Sequence, residues 1–317
     1  MSVELTRNEA LKLYEASNEL YDMYVEAAEH VIENDLFFDL GIPFNLVDAI
    51  KKSWETDVHW HIYGAFVFSG GINAKPIKLL GFDADTPSGL VESSQKQLDD
   101  TQFNEIYKYI SINFKRLITL FDEPNTFEER YDGWKILFSA PDDDEAKIEI
   151  SYILKQMAED AGFETGFCYL HEVEFSENGI HDAEGESYEY WFKNYSWLDM
   201  STDEGELATT ITTIMNNQQA IILNPAYTLL FSSLGMLKIL KELYPDSPYL
   251  LNASFDAFDS SVERTVFGDG EEYANFKKIY QEETDDAYNA KVFFAYEACG
   301  LSFISKEENF IDHKIIS

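Results

Sequence analysis

A strand, a helix and a second strand follow one another between Trp134 and His171, and no other feature narrows the possible folds as much. Trp134–Ser139 is a short apolar run of strand character. Asp142, Asp143 and Asp144 then supply an N-cap and first-turn acids for a helix reaching Ala161, and Gly162 stops it. Gly166–His171 is the next strand-like run. Strands joined by such a crossover lie parallel, and a parallel sheet needs helices over its faces. The chain is therefore expected to be α/β or α+β.

The flanking sequence fits that class. Thr6 and Glu9 stand at capping-box spacing. Leu11, Tyr14, Tyr21, Val25, Ala28 and Ile32 then recur at three- and four-residue steps, which predicts a helix over 7–33. A shorter helix follows Gly41 and Pro43 and runs to about Trp54. Strands are predicted at His61–Phe68 and Lys78–Phe82 around the turn Gly70-Gly71-Ile72-Asn73. Phe103, Ile106, Tyr107, Ile110, Phe114 and Leu117 mark another helix. Strands near Tyr188–Asn194 and Gln219–Leu223 precede a helix from Tyr227 to Leu243, closed by Pro245. The remaining residues read as short strands around acidic turns. Two parts are expected, a core over 1–250 and a smaller C-terminal part over 251–317, within the 317 residues.

Charge narrows the partners. Lys and Arg number 23 against 59 Asp and Glu, a net charge of −36. Phosphate neutralisation needs a basic face, so nucleic acid is not expected, nor is an anionic membrane surface. A basic protein segment or a polyamine suits such a chain, although a solubilising surface is the simpler account. Cys168 and Cys299 form no disulfide framework or metal motif, and no apolar run is long enough to span a bilayer. A reduced, cytoplasmic setting is the expectation.

Several segments could carry chemistry. Asp83-Ala84-Asp85-Thr86-Pro87-Ser88 places two carboxylates at i and i+2 after a strand, where a metal or an amine could bind. A capped turn before a helix starting near Leu90 explains the same residues. In that case Asp85 accepts the amides of the turn, and its loss costs about 0.5–2 kcal/mol. His59 and His61 alternate on one strand face but lack a third ligand nearby, which favours aromatic packing. Acids at 269, 271 and 272 make Gly268-Asp269-Gly270 an unpromising phosphate loop. Cys168, in an apolar strand, is expected to be a buried thiol.

The order of these segments resembles the glutathionylspermidine synthase family. Lys78-Leu79-Leu80 leading into Ala84-Asp85-Thr86-Pro87 is the most specific match. Tyr195-Ser196-Trp197, Leu243-Tyr244-Pro245 and Ile311-Asp312-His313 follow in the family's order. The resemblance implies a pre-ATP-grasp α/β core with a reduced ATP-grasp region, and an ATP- and Mg-dependent ligase joining a carboxylate to an amine. Carried over residue by residue, it also implies an eroded site. The Arg and Asp of the family's YxRxD fall on Ala65 and Val67, the Glu and Asn of its ExNAD on Gly81 and Asp83, and a nucleotide Lys on Leu234. Asp83, Asp85, Thr86, Ser88 and Arg264 remain as candidate ligand contacts, with Asp83 and Asp85 the candidate metal ligands. The expectation is a catalytically degenerate homologue that needs no cofactor. The alternative is a divergent ligase using ATP and Mg, with Asp83, Asp85 and Arg264 in altered roles.

Overall fold

The computed structural model describes residues 2–56, 62–91, 106–120, 135–176, 178–203, 205–251, 288–295, 298–305 and 310–316. In chain order the strands are β1 (Ser2–Thr6), β2 (Gly64–Ser69), β3 (Lys78–Asp83), β4 (Lys135–Ala140), β5 (Glu164–Tyr169), β6 (Glu174–Ser176), β7 (Gly179–His181), β8 (Ser187–Tyr188), β9 (Tyr190–Phe192), β10 (Ile221–Leu223), β11 (Tyr288–Ala295), β12 (Ala298–Ser305) and β13 (Phe310–Ile316). The helices are α1 (Arg7–Glu33), α2 (Val47–Thr56), α3 (Ile106–Leu120), α4 (Glu145–Ala161), α5 (Trp197–Asp203), α6 (Gly205–Asn216), α7 (Thr228–Ser232) and α8 (Gly235–Leu243).

The predicted crossover is present. β4 and β5 pair in parallel, with Lys135 opposite Glu164 and Ala140 opposite Tyr169, and α4 connects them. Asp144 caps α4 by accepting the Lys147 amide, and Gly162 closes it in the left-handed region at φ 107°. β9 and β10 extend this sheet in the order β10-β9-β4-β5, all parallel. One face, with Ile136, Phe138, Tyr190 and Phe192, packs with residues of α3 and α4. The other, with Leu137, Trp191 and Ile222, joins the larger core that includes α1 and α6. Burial on both faces is why these strands read as continuous apolar runs.

A second sheet runs β1-β13-β12-β11-β2-β3. Its hairpin β2–β3 turns through Gly70 at φ 75°, where a Cβ would lie 2.0 Å from the Pro76 carbonyl oxygen, so only glycine fits. Phe66, Phe68 and Phe82 point into the core shared with α1, where Tyr24 meets Phe66, Phe82 and Phe231 edge to face. The capping box predicted for α1 is formed, since Glu9 N–H donates to the Thr6 hydroxyl at 3.2 Å while Glu9 Oε2 accepts the Thr6 amide at 2.7 Å.

Two sequence expectations are corrected. The residues after 287 are not short strands: β11 and β12 have 8 residues each and β13 has 7, and β11 lies between β2 and β12 in the same sheet. Long-range pairing, invisible to local periodicity, extends them. The single helix predicted over 227–243 is two, because Ser233 is extended at ψ 129° and donates its hydroxyl to the Leu40 carbonyl at 3.0 Å. His59, His61 and the acidic loop at 268–272 lie outside the described residues.

Candidate functional site

The face of β2, β3 and β11 that looks away from α1 carries the positions the sequence singled out. Two cross-strand rows lie side by side. In one, Ala65 pairs with Asp83 on β3 and with Phe293 on β11. In the other, Val67 pairs with Gly81 and with Lys291. Ala65 is fully buried, and the space beyond Gly81 is open, with no atom within 4 Å of a Cβ built there. Lys291 is 6% exposed and donates to the Ser88 hydroxyl at 3.0 Å.

Asp83 ends β3 and organises the turn. Its Oδ1 accepts the Asp85 amide at 3.1 Å, the Thr86 amide at 3.4 Å and the Ser232 hydroxyl at 3.3 Å. Burial raises its pKa above the ordinary aspartate value; the neighbouring Asp85 charge adds to this, while Lys291 and the turn amides oppose it. The same burial and the same two carboxylates push the Tyr63 hydroxyl upward.

Asp85 does something different from the role the sequence suggested. It does not take the amides of its own turn; Asp83 does. Asp85 Oδ1 receives the Lys193 ammonium at 2.5 Å, and Oδ2 accepts the Trp197 backbone amide at 2.8 Å. The two side chains are 1% and 5% exposed. Lys193 also donates to the Tyr195 carbonyl at 2.7 Å and lies 4.9 Å from the centre of the Trp197 ring. Burial lowers the Lys193 pKa, and the Asp85 charge pulls it back up. The pair therefore joins the 83–88 turn to the Tyr195-Ser196-Trp197 segment at the start of α5, two stretches more than 100 positions apart.

Asn224, after β10, completes the junction. Its Nδ2 donates to the Tyr63 carbonyl at 3.0 Å and the Ala84 carbonyl at 2.8 Å, and its Oδ1 accepts the Ile62 amide at 3.1 Å. Neither Lys193 nor Asn224 was singled out from the sequence. A lysine at the end of the apolar run Tyr190-Trp191-Phe192 was the available signal, because a charge in a core strand needs a buried partner.

Leu234, at a position the resemblance gives to lysine, packs partly buried against the core between α7 and α8. Cys168 is buried as expected, and burial with nearby Glu172 and Asp182 pushes its thiol up to about 12. Thr86 stays at the turn through its amide, and Ser88 reaches Lys291. Arg264 lies outside the described residues. No helix among the described residues is long and apolar enough to cross a membrane.

Comparison with known proteins agrees with this architecture. The family model for the glutathionylspermidine synthase pre-ATP-grasp region matches residues 1–301. The bifunctional glutathionylspermidine synthetase/amidase of Escherichia coli K12 is 22% identical over 285 residues, an alignment covering 82% of this chain and 44% of that protein. The glutathionylspermidine synthase of Crithidia fasciculata is 22% identical over 276 residues, covering 77% of this chain and 38% of that one. The chain thus spans less than half the length of these two relatives. A glutathione synthetase-like effector of Globodera pallida, solved in its apo form, superposes with a TM-score of 0.52 at 8% identity, covering 99% of this chain and 88% of that one, a likeness of fold alone. With a family model matching nearly its whole length and the motif turn at 83–88 tied to the segment at 195–197, the chain belongs to the glutathionylspermidine synthase pre-ATP-grasp family.

Proposed function

We propose that this chain is a catalytically silent member of its family that acts by binding a cationic partner. The row Lys291–Val67–Gly81 carries the reading. The resemblance gives acids to positions 67 and 81, the oxygen donors a magnesium ion requires. Here one is a valine, the other has no side chain, and the residue beside them is a lysine. Of the two carboxylates left nearby, Asp85 is engaged by Lys193 and the Trp197 amide, and Asp83 is engaged by its turn. These described residues do not fit a bound Mg-nucleotide. Loss of a single transition-state donor already costs about 10²–10³ in rate.

The preference for a cation rests on the net charge of −36. Calorimetric titration with Mg-ATP tests the silent reading, and no saturable heat is expected. Micromolar binding, or ADP release with glutathione and spermidine, would instead favour a divergent ligase using Asp83, Asp85 and Arg264. Titration with spermidine at low and physiological salt tests the cationic reading for a small ligand. One site that persists is expected of a specific contact, whereas weak multi-site binding that fades with salt leaves only a solubilising surface.

A further inference from the structure

A groove of about 570 Å³ lies along α4 beside the start of α3, lined by residues of these two helices. Ile148, Ile153 and the rings of Tyr107 and Tyr152 give it an almost wholly apolar lining, and Glu145 and Glu149 border it chiefly through their stems. The spacing 145, 149, 152 follows the helical repeat, so the three side chains run along one side of α4. Both glutamates are exposed and have no ion-pair partner among the described residues. The lysines of the same helix are already committed, Lys147 facing Asp144 at 3.8 Å and Lys155 bound to Glu159 at 2.5 Å.

The rings are held in place. Tyr152 is 52% exposed yet stacks on Phe167 of β5 at 4.6 Å, and Phe167 meets Tyr169 edge to face at 5.7 Å. The Tyr107 hydroxyl donates to Asp160 at 2.7 Å, which fixes its ring at the groove wall. Glu145, in the first turn where the helix dipole favours an acid, and Glu149 four positions on concentrate negative charge on one side of α4, with no ion-pair partner among the described residues. The exposed Tyr152 ring, the half-buried Tyr107 ring, the apolar lining and two bordering glutamates without an ion-pair partner among the described residues together suit a side chain with an apolar stem and a cationic head.

Resting on the reading of a cationic partner, we propose that this groove docks a basic segment of another protein. Lysine or arginine stems lie over Ile148, Ile153 and the two tyrosine rings, and their charged heads meet Glu145 and Glu149.

The probe is a labelled peptide of alternating arginine and leucine, titrated into the full chain at physiological salt and followed by fluorescence anisotropy. Saturable one-to-one binding is expected. Glu145→Gln with Glu149→Gln should weaken it about tenfold, and Tyr152→Ala several-fold. A matched control, Glu29→Gln with Glu33→Gln on an exposed part of α1, removes the same charge at the same spacing and should leave affinity unchanged. Melting curves of all variants confirm folding, since none of these side chains is in the core. Equal losses in the groove and control variants would overturn the groove and leave diffuse attraction to the acidic chain. Absence of any peptide binding to the wild type would overturn the groove together with a basic protein segment as the partner.

Discussion

Lys193 and Asp85, 108 positions apart in sequence, meet at 2.5 Å in a place that excludes solvent from both. Each is the other's reason for being charged inside the protein. Removing one partner strands the other, a loss of about 3–5 kcal/mol where a buried pair is broken. Lys193→Met and Asp85→Ala are each expected to cost about that much in urea denaturation, more than a capped turn would lose. A cost below about 1 kcal/mol for Lys193→Met would mean that water reaches the pair.

Asp83 gives a pH signature. Its folded pKa lies above the unfolded value, so the native state holds its proton more tightly. The stability tied to that proton is present below the unfolded pKa and is lost as pH rises through the folded one. Asp83→Asn keeps an oxygen for the Asp85, Thr86 and Ser232 donors and carries no charge. It should therefore melt higher than wild type at pH 8, with the gap closing towards pH 4. A variant less stable at every pH would show that Lys291 makes the Asp83 charge favourable on balance.

Asn224 holds three backbone groups from two strand ends. Truncation to alanine leaves the Tyr63 and Ala84 carbonyls and the Ile62 amide without their donor or acceptor. Each unsatisfied buried group costs about 1–3 kcal/mol. Asn224→Ala is expected to lose at least about 2 kcal/mol and to speed amide exchange at Ile62 first. Unchanged exchange there would place the anchoring elsewhere.

The α1 cap is a smaller, separable contribution. Thr6→Ala should cost about 1 kcal/mol. Burial opposes ionisation of Glu9, but hydrogen bonds from Thr6 and Asn73 outweigh it and lower the pKa below 4.5. Its contribution is present above the unfolded value and lost as pH falls through the folded one. Glu9→Gln should therefore match wild type in acid and fall behind at neutral pH, as thermal melts across that range would show.

Local signals in the sequence carried the elements well and their assembly poorly. The α1 cap, the Gly162 stop and the β4–α4–β5 crossover follow from residues close together, and the structure places them within a few positions of expectation. Asp83 and Asp85 were recognisable as the polar turn of interest, but their roles were not. A carboxylate two residues into a turn looks ready to accept its own amides. Only the fold brings Trp197 and Lys193 to Asp85, and no short-range pattern announces that. Ser233 breaks its helix for the same kind of reason, through a carbonyl at Leu40. The β11–β13 strands depend on partners at 64–68 and 2–6, so their length could not be read from residues 288–316 alone.

The parallel pairing of β1 with β13 sets Ser2 beside Asp312 and Thr6 beside Ile316. On a ribosome adding about 5–20 residues each second, β1 emerges roughly 15–60 s before the strand it must join. Through that interval the α1 face and the β2–β3 hairpin exist without β11, the strand that lies between β2 and the rest of the sheet. An unpaired strand edge is an invitation to other chains. Like charge opposes the approach of two such edges, and a net charge of −36 places that repulsion between any two copies of this chain, folded or not.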